Sequence, residues 1–447
     1  MRKYLLTEDF HEVGDDEYTK SFAKAIQKME SGDVLQVGKG LYKTGPITIN
    51  KDGITIVLEK DAVISFIADE RLYPPIYSRW EGVMCFCMHP CLYVVGCAHV
   101  VLAGEGTLSG NGEYWWDQAS FKRREQDGPV TEIEKQLAIL NPNYENQPSG
   151  GGGRQSQFLR PPLLQIQNCN DVRIEGITIK DSPFWTVHPL FSSHLKIQGV
   201  SIINPKDAPN TDGIDIDSCF DVEISSCHVD VGDDGIALKS GSGPDGIKVN
   251  KPTKDVVIRN CSVYSAHGGT VIGSETAAGI FDVKVSNCLF DGTDRGVRIK
   301  TRRGRGGAIE GLSFKHIVMH HVLCPITLNM YYICGCKDPR VFSLEKEPVD
   351  EATPFIRNVE IEDILADGIR SSCAFIVGLP ESPIMNLSIK HCHFLLDTKN
   401  PASINVSEMT QGLPEITDRG IRLRNVYVTL EDVQGAGLIR ESGVVLI

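Results

Sequence analysis

Short stretches in which apolar and polar residues alternate recur along the 447-residue chain. A period of two is typical of β-strands, because successive side chains point to opposite faces. Most of these stretches begin 23 to 34 residues after the previous one, and they start at residues 171, 194, 221, 255, 282, 358 and 386. A repeat of this length without a helical period predicts an all-β, right-handed parallel β-helix. Leucine-rich repeats have a similar length, but their leucine and asparagine consensus is missing here.

The repeat predicts a single solenoid domain over residues 1–447, with the strand pattern beginning near residues 53–66. An amphipathic segment at residues 15–30 is predicted to be a helix that caps one open end. Two stretches interrupt the pattern, at residues 111–160 and 331–354, and we expect them to be loop excursions. Long loops on solenoids often shape a binding face, although a solvated excursion without a role is an equal alternative.

Composition and charge narrow the class of protein. The net charge of −13 argues against a nucleic-acid partner. No stretch is long and apolar enough to span a bilayer. The amino-terminal sequence "MRKYLLTEDFHE" lacks the apolar core of a signal peptide. We therefore expect a cytoplasmic protein, and the sequence leaves its oligomeric state open.

Many of the 14 cysteines share a similar local context, as in "QNCND", "RNCSV" and "SNCLF". This recurrence predicts a small buried residue at one corner of the coil. The cluster Cys85–Cys91 resembles a metal site in composition, but its spacing matches no common zinc pattern. Alternation within a strand would also leave its ligands on both faces. We therefore predict no metal and no cofactor.

The segment "NTDGIDIDS" at residues 210–218 places several acids on a predicted half-buried strand. It aligns with three later segments, "VGDDGIALKSG" at 231–241, "SAHGGTVIGSE" at 265–275 and "RGVRIKT" at 295–301. The alignment predicts an apolar inward ladder of Ile214, Ile216, Ile236, Leu238, Thr270, Ile272, Val297 and Ile299. The outward positions are then Asp215, Asp217, Lys239, Arg298 and Lys300.

Stacking these segments brings titratable residues together. Neighbouring strands lie about 4.8 Å apart, so Asp212, Asp233, Asp234 and His267 should cluster. Asp212 must then lie in the bend before its strand, because strict alternation would turn it inward. Adjacent aspartates are by themselves more often turn formers, and a lone histidine is more often structural. Their joint placement in successive coils favours a site.

The four segments, in this order, resemble the signature segments of the polygalacturonase family of pectin-degrading glycoside hydrolases. The similarity extends from Ser78 to Met330, and "RWEG", "PFWTVHP" and "TRRGRGG" resemble bacterial members that remove units from chain ends. Gly235 and Ala266 depart from residues common in the family, but each replaces one small residue by another.

The resemblance implies hydrolysis of α-1,4-galacturonosidic bonds with inversion. It implies Asp233 as the general acid, and Asp212 and Asp234 as the residues that hold the attacking water. It further implies that His267 tunes the acid and that Asn210 orients Asp212 or a sugar hydroxyl.

Fixed cations are expected beside these acids, because galacturonate carries a carboxylate. Arg298 and Lys300, two residues apart on a strand, point to the same face and would grip it. Lys239 is a further expected substrate contact, and Arg302, Arg303 and Arg305 extend the expected basic patch. For Trp185, His188, Arg79 and Trp80, coil packing and sugar contact are equal alternatives.

Exo action on imported oligogalacturonides is the leading hypothesis. A cytoplasmic enzyme meets short chains, and the first excursion is long enough to close one end of the groove into a pocket, where Tyr114, Trp115 and Trp116 would stack on sugars. Endo action, hydrolysis of rhamnogalacturonan fragments, a calcium-dependent pectate lyase and a non-enzymatic carbohydrate-binding β-helix are the alternatives. The retained "GDDG" and "RIK" segments argue against the last of these.

Overall fold

The computed structural model of the protein describes residues 1–12, 14, 16–125, 131–142, 160–336 and 338–447. The chain divides into two compact units. Unit 1 contains most of the described residues from Met1 to Asp233, and unit 2 contains Glu81–Val83 and Asp234–Ile447. The prediction of a single domain therefore stays a prediction.

Unit 1 is built mainly from short parallel strands. Its helices are α1 (Leu6–Phe10), α2 (Thr19–Lys28), α3 (Glu113–Glu125) and α4 (Glu132–Leu140), with a 3₁₀ helix at Glu70–Leu72. Its strands are β1 (Lys3–Leu5), β2 (Val34–Val37), β3 (Gly40–Thr44), β4 (Ile47–Ile49), β5 (Thr55–Leu58), β6 (Ala62–Phe66), β7 (Pro75–Trp80), β8 (Val83–Met88, whose first residue belongs to unit 2), β9 (Leu92–Val95), β10 (Ala98–Gly104), β11 (Thr107–Ser109), β12 (Leu164–Gln167), β13 (Asn170–Glu175), β14 (Thr178–Lys180), β15 (Val187–Leu190), β16 (Ser193–Gln198), β17 (Ser201–Ile203), β18 (Ile214–Asp217), β19 (Phe220–Ser225) and β20 (His228–Asp230).

These strands form three parallel ladders, one for each side of the coil. The first runs β4–β9–β12–β15–β18. The second runs β2–β5–β10–β13–β16–β19, and the third runs β3–β6–β11–β14–β17–β20. Three strands per coil with parallel stacking confirm the predicted β-helix.

Unit 2 continues the same kind of coil. Its strands are β21 (Asp234–Lys239), β22 (Thr253–Arg259), β23 (Ser262–Tyr264), β24 (Gly268–Gly273), β25 (Ile280–Asp291), β26 (Arg295–Lys300), β27 (Ala308–His320), β28 (Cys324–Asn329), β29 (Phe355–Ile369), β30 (Ala374–Val377), β31 (Ile384–Leu396), β32 (Ile421–Arg424), β33 (Val426–Gln434), β34 (Leu438–Arg440) and β35 (Val444–Leu446). Its helices are α5 (Gly243–Val249), α6 (Ile404–Ser407) and a 3₁₀ helix at Pro339–Phe342. Strands β21–β24–β26–β28–β30–β32–β34 form one parallel ladder.

The apolar register predicted from the sequence is present in unit 2. Ile236 pairs with Thr270, and Thr270 pairs with Val297. All eight predicted inward residues are buried. The core of each unit therefore consists of stacked aliphatic columns, which hydrophobic burial stabilises.

The prediction of a half-buried strand at residues 214–217 is wrong, because all four residues of β18 are buried. Every residue of β21, β24 and β26 is buried as well. In unit 1, β7 lies against the polar face, where Ser78 donates to Gln167 at 2.7 Å. The polar face of these strands is thus enclosed by protein, which the alternation pattern does not reveal.

The helix predicted at the amino terminus is confirmed as α2, which buries Phe22, Ala25 and Ile26. The first excursion contains α3 and α4, which the sequence did not predict, and α4 begins with a capping box between Thr131 and Glu134. The glycine-rich stretch "PSGGGG" lies outside the described residues. None of the described helices has the length and hydropathy needed to cross a bilayer.

Candidate active site

Asp212 and Asp233 come together in unit 1. Asp212 lies in the bend before β18, as the sequence predicts, and it is buried, whereas Asp233 is partly exposed. A carboxylate oxygen of Asp212 lies within 4.8 Å of one from Asp233. Two carboxyl groups this close disfavour simultaneous ionisation, because each negative charge raises the proton affinity of the other. The pair can therefore hold one proton for transfer.

Asp234 is the next residue along the chain and the first residue of β21 in unit 2. Its Oδ1 accepts a hydrogen bond from Arg298 Nη1 at 2.9 Å, and its Oδ2 accepts one from Lys300 Nζ at 2.5 Å. All three side chains are buried. Two cations in contact with one carboxylate favour its ionised form. The sequence predicts Arg298 and Lys300 as substrate contacts, and their contact with Asp234 was not predicted.

Small residues in β24 give the two cations access to Asp234. Strand β24 lies between β21 and β26. A Cβ atom at Gly268 would lie 2.5 Å from Val271 Cγ2 and 3.2 Å from Arg298 Cδ. The absence of a side chain at Gly268 therefore leaves room for the Arg298 stem to reach across β24.

Lys239 lies in a second buried ion pair of unit 2. Its Nζ is 3.3 Å from Glu275 Oε2. Burial raises the pKa of the Glu275 carboxyl, but the charges of Lys239, Arg305 and Lys300 outweigh it and lower the pKa. Glu275 was not identified from the sequence, although it ends the third signature segment. The feature that could have identified Glu275 was an acidic side chain at a buried position beside basic residues.

His267 immediately precedes β24 and is exposed. Its Nε2 lies 4.0 Å from Asp294 Oδ2. His267 and Asp294 were aligned at the same position of successive coils, and this contact agrees with that alignment. Its role in tuning an acid stays a prediction.

Asn210 has a left-handed backbone conformation, with φ of 56°. Its Oδ1 accepts a hydrogen bond from Arg160 Nη2 at 2.8 Å. The buried Arg160 also donates to the carbonyls of Pro183 at 3.0 Å and Pro209 at 2.6 Å. Arg160 thus fixes the segment that leads to Asp212. The sequence analysis placed Arg160 at the end of an excursion and missed this contact.

Asp217 and Arg79 form a fully buried ion pair in unit 1, with Nη1 2.6 Å from Oδ1. His188 Nε2 lies 3.6 Å from the other oxygen of Asp217. Burial raises the pKa of Asp217, but Arg79 and His188 outweigh it and lower the pKa to about 2. Asp217 therefore stays ionised as part of the structure.

The tryptophan and histidine of "PFWTVHP" are enclosed. Trp185 is 3% exposed and His188 is 0% exposed. Trp185 stacks on Phe184 with a centroid distance of 5.1 Å, and Phe184 stacks on Trp80 at 5.3 Å. This burial favours the packing alternative for Trp80, Trp185 and His188 over direct contact with a sugar.

The expected basic patch after β26 does not form a solvent-facing surface. Arg302 is buried and donates to the carbonyl of Cys334 at 3.3 Å. Burial lowers its pKa to about 10, and Arg305 contributes to the decrease. Arg303 pairs with Glu381 at 2.6 Å, and Arg305 donates to Ser242 Oγ. These contacts favour a structural role, so the predicted substrate contact of Arg302 stays a prediction.

The three aromatic residues of the first excursion have different environments. Trp115 is buried against Tyr73, and Tyr114 donates to Glu70 Oε2 at 2.5 Å. Trp116 is half-buried and lines a cavity of about 760 Å³ together with Tyr114. A ring in a cavity of this kind suits contact with a sugar face.

Metal chemistry has one possible location among the described residues. The acidic group that contains Asp212 and Asp233 is spaced closely enough to hold an ion. The cysteines of the Cys85–Cys91 cluster are buried, and they form no such group in the described ranges. Cys85 and Cys87 lie on the same buried face of β8, so the expectation of ligands on both faces is wrong for this pair. The absence of a metal and of a cofactor stays a prediction.

Comparison with known proteins assigns this chain to a family. A family model described as "Glycosyl hydrolases family 28" matches residues 144–372. A probable polygalacturonase from Vitis vinifera is 28% identical over 408 residues, which cover 88% of this chain and 74% of that protein. An endo-polygalacturonase from Pectobacterium carotovorum is 23% identical over 334 residues, which cover 70% of this chain and 72% of that protein.

A solved structure is also similar. The crystal structure of a hyperthermoactive exopolygalacturonase from Thermotoga maritima has a TM-score of 0.74 to this chain at 27% identity, and the match covers 88% of each chain. The similar proteins therefore include enzymes named for exo action and for endo action.

Proposed function

Because this chain belongs to the glycosyl hydrolases of family 28, we propose that it hydrolyses α-1,4-galacturonosidic bonds of pectic oligogalacturonides. The observation that carries the proposal is the buried pair of cations that binds Asp234, the residue that follows Asp233 in the chain. Asp212 and Asp233 oxygens lie within 4.8 Å, and Asp234 is held by Arg298 and Lys300. Glycoside hydrolysis needs a carboxyl pair, and a uronate substrate needs fixed cations beside it.

In this mechanism Asp233 is the proton donor to the leaving oxygen. Its partial exposure lets it meet a substrate, and the neighbouring charge of Asp212 favours its protonated form. Asp234 stays ionised between its two cations and activates water together with Asp212. His267 adjusts the acid, and Asn210 orients Asp212 or a sugar hydroxyl.

Arg298 and Lys300 serve the substrate as well as Asp234. A lysine ammonium has three donors and a guanidinium has five, so each can bind more than one acceptor. The carboxylate of a galacturonate unit would share these two cations with Asp234. This requirement selects uronates over neutral sugars.

Inversion is the finer part of the proposal and rests on two carboxylates that hold water without a dedicated nucleophile. The oxygens of Asp212 and Asp233 lie closer, within 4.8 Å, than the roughly 6.5–9.5 Å usual between the carboxyl groups of inverting enzymes. In the proposal Asp212 and Asp234 each hold the attacking water, and no side chain forms a bond to the sugar.

Exo action is also proposed, with release of galacturonate from one chain end. The similarity to an exopolygalacturonase structure supports it, as does Trp116, which lines a cavity in the first excursion. Endo action is the alternative, since an endo-polygalacturonase is among the relatives.

The experiment that tests the proposal compares wild type with Asp233→Asn on trigalacturonate, with products separated by anion-exchange chromatography. Wild type should yield shorter galacturonides, and the variant should be slower by about 10²–10⁴-fold, the usual contribution of general acid catalysis. Asp230→Asn, at the end of β20 in the same unit, is the matched control and should keep normal activity. Near-normal hydrolysis by Asp233→Asn would remove Asp233 from the role of acid.

A further inference from the structure

Glu408 is a buried acid that the proposed mechanism does not use. It follows α6 and is 2% exposed. Its Oε1 accepts a hydrogen bond from Ser372 Oγ at 3.1 Å, whereas Oε2 has no hydrogen-bond partner among the residues that the structure describes. Its backbone carbonyl accepts a bond from Asn329 Nδ2 at 3.0 Å, which fixes the residue on β28. A carboxyl group is expensive to bury with an unsatisfied oxygen, so this placement calls for a compensating role.

The residues that follow Glu408 connect it to Arg298. Met409 Sδ lies 3.3 Å from Arg298 Nη2, and the Met409 carbonyl accepts a bond from the amide of Ile333 at 3.0 Å. Thr410 forms a bridge with Tyr332. The Tyr332 ring lies 5.6 Å from the Arg298 guanidinium carbon. The segment 408–410 therefore covers the same arginine that holds Asp234.

Two buried guanidiniums supply the positive field at Glu408. Arg295 is the first residue of β26 and Arg298 lies on the same strand, and both are buried. Burial lowers the pKa of Arg295, and the charge of Arg298 lowers it further. Arg295 has an additional contact with Asp294 at 3.4 Å. The other groups that face Glu408 are Ser372 and the Cys324 thiol, whose raised pKa keeps it neutral. Glu408 is thus the buried acid that faces both arginines from the carboxy-terminal segment.

We propose that Glu408 is a positioning residue, which together with Met409 sets how much of the Arg298 charge acts on the substrate carboxylate. This inference rests on the proposed hydrolysis of galacturonides. An ionised Glu408 neutralises part of the Arg298 charge and weakens the grip on a uronate. A protonated Glu408 leaves that charge to Asp234 and the substrate.

The protonation state of Glu408 changes near neutral pH. Burial raises its pKa to about 7, although Arg295, Ser372, Cys324 and Arg298 oppose the increase. KM for a galacturonide should therefore be low below pH 7 and should rise as pH increases through 7. The expected increase is about tenfold, the effect of one charge across roughly 12 Å at an effective dielectric constant of about 20.

The experiment measures KM and kcat for digalacturonate from pH 5.5 to 8.5 in wild type, in Glu408→Gln and in Glu441→Gln. Glu408→Gln should show a KM that no longer rises with pH, with kcat changed less than twofold at pH 6. Glu441 pairs with Arg422 and Arg424 in the same unit, away from Arg298, so its variant should keep the wild-type profile. A Glu408→Gln variant with the wild-type increase of KM would overturn the proposal.

A second measurement needs no variant. The methyl ester of digalacturonate lacks the carboxylate charge that Arg298 would bind. The KM of wild type for this ester should therefore not rise with pH. A change of protonation at Asp233 would alter the KM values of both substrates equally. An equal rise of KM with pH for digalacturonate and for its methyl ester would therefore contradict the role of Glu408. Absence of any galacturonide hydrolysis by wild type would overturn the proposed function itself, and hydrolysis with a pH-independent KM would overturn only the Glu408 inference.

Discussion

The buried pair of Arg79 and Asp217 shows how single residues decide the structure around the site. The guanidinium donates to Asp217 at 2.6 Å and to Ser218 Oγ at 2.7 Å, in a region without solvent contact. Removing one partner of a buried pair leaves an uncompensated charge, which costs about 3–5 kcal/mol. The pair therefore matters more for stability than any exposed ion pair of unit 1.

We expect Arg79→Met to lower the melting temperature at pH 7 clearly, as measured by circular dichroism. The matched control is Arg71→Met, because Arg71 pairs with Asp69 at 2.5 Å while its side chain is 82% exposed. Exposed pairs contribute only about 0–1 kcal/mol, so the control should melt like wild type. Equal melting temperatures for the two variants would contradict a stabilising pair.

Acid should remove the same stabilisation. The pKa of Asp217 in the folded protein, about 2, lies below its unfolded value, which is about 3.9. Its contribution is therefore fully present above about pH 4 and is lost as pH falls towards 2. Wild type should lose melting temperature over this range, and Asp217→Asn should lose less of it. A variant with an unchanged acid profile would show that other carboxylates dominate.

Lys300 has two expected tasks, binding Asp234 and binding a substrate carboxylate. Lys300→Met should therefore reduce kcat/KM for digalacturonate by at least about 10²-fold, the order for loss of one preorganised charge. Lys254→Met is the control, since the Lys254 side chain is half-exposed and its Nζ lies 3.9 Å from Asp255 Oδ2. Melting curves of both variants should show folded protein. Equal turnover by Lys300→Met and wild type would refute the assignment.

Strand β24 contributes to the site because it begins with two glycines, which have no side chains. Gly268 leaves space for Arg298, and a Cβ at Gly269 would lie 2.5 Å from the Phe290 ring. The two glycines that begin "GGTVIG" therefore lie at buried positions where a neighbouring side chain occupies the place of a Cβ.

Gly268→Val should displace Arg298 from Asp234 and lower kcat/KM for digalacturonate by about 10²-fold or more. Gly437→Ala is a suitable control, because a Cβ there meets no atom within 4 Å. Kinetics combined with a crystal structure of the variant would check the cause. Full activity with Arg298 still bound to Asp234 would show that β24 tolerates side chains.

The elements also show what the sequence could and could not predict. The period of two in "GIALK" and "GVRIK" predicted the pairing of Leu238, Ile272 and Ile299, because register follows the apolar face. The residues that cover the polar face of the strands could not be predicted, since Arg79 and Met409 come from distant parts of the chain. The roles of Arg160 and Glu408 were missed for the same reason, because neither belongs to a repeated segment.

At the scale of the whole molecule, the chain and its proposed substrate are both acidic, and local contacts would bind the substrate. The net charge is −13, and salt screens distant charges beyond about 8–10 Å. In the proposed mechanism Arg298 and Lys300 bind the substrate carboxylate at contact distance, where screening is weak. The cytoplasmic location expected from the sequence stays a prediction, which fractionation of cells with an antibody to the protein would check.

Exo action makes a prediction for polymeric substrate. Galacturonate should appear from the first minutes of digestion of polygalacturonate, while the viscosity falls little, because removal of end units shortens chains slowly. Chromatography and viscometry on the same samples would measure both. A rapid fall in viscosity with mixed oligomers as early products would establish endo action and leave the hydrolase assignment intact.

The most direct test of the central claim, water attack directed by the aspartates, is proton NMR of trigalacturonate during the first turnovers. An inverting hydrolase acting on an α-linked substrate should produce the β-anomer of the new reducing end before mutarotation. The Asp233→Asn variant should produce none on the same timescale. Initial appearance of the α-anomer would show a covalent intermediate, and an unsaturated product absorbing in the ultraviolet would show elimination; either result would contradict the account.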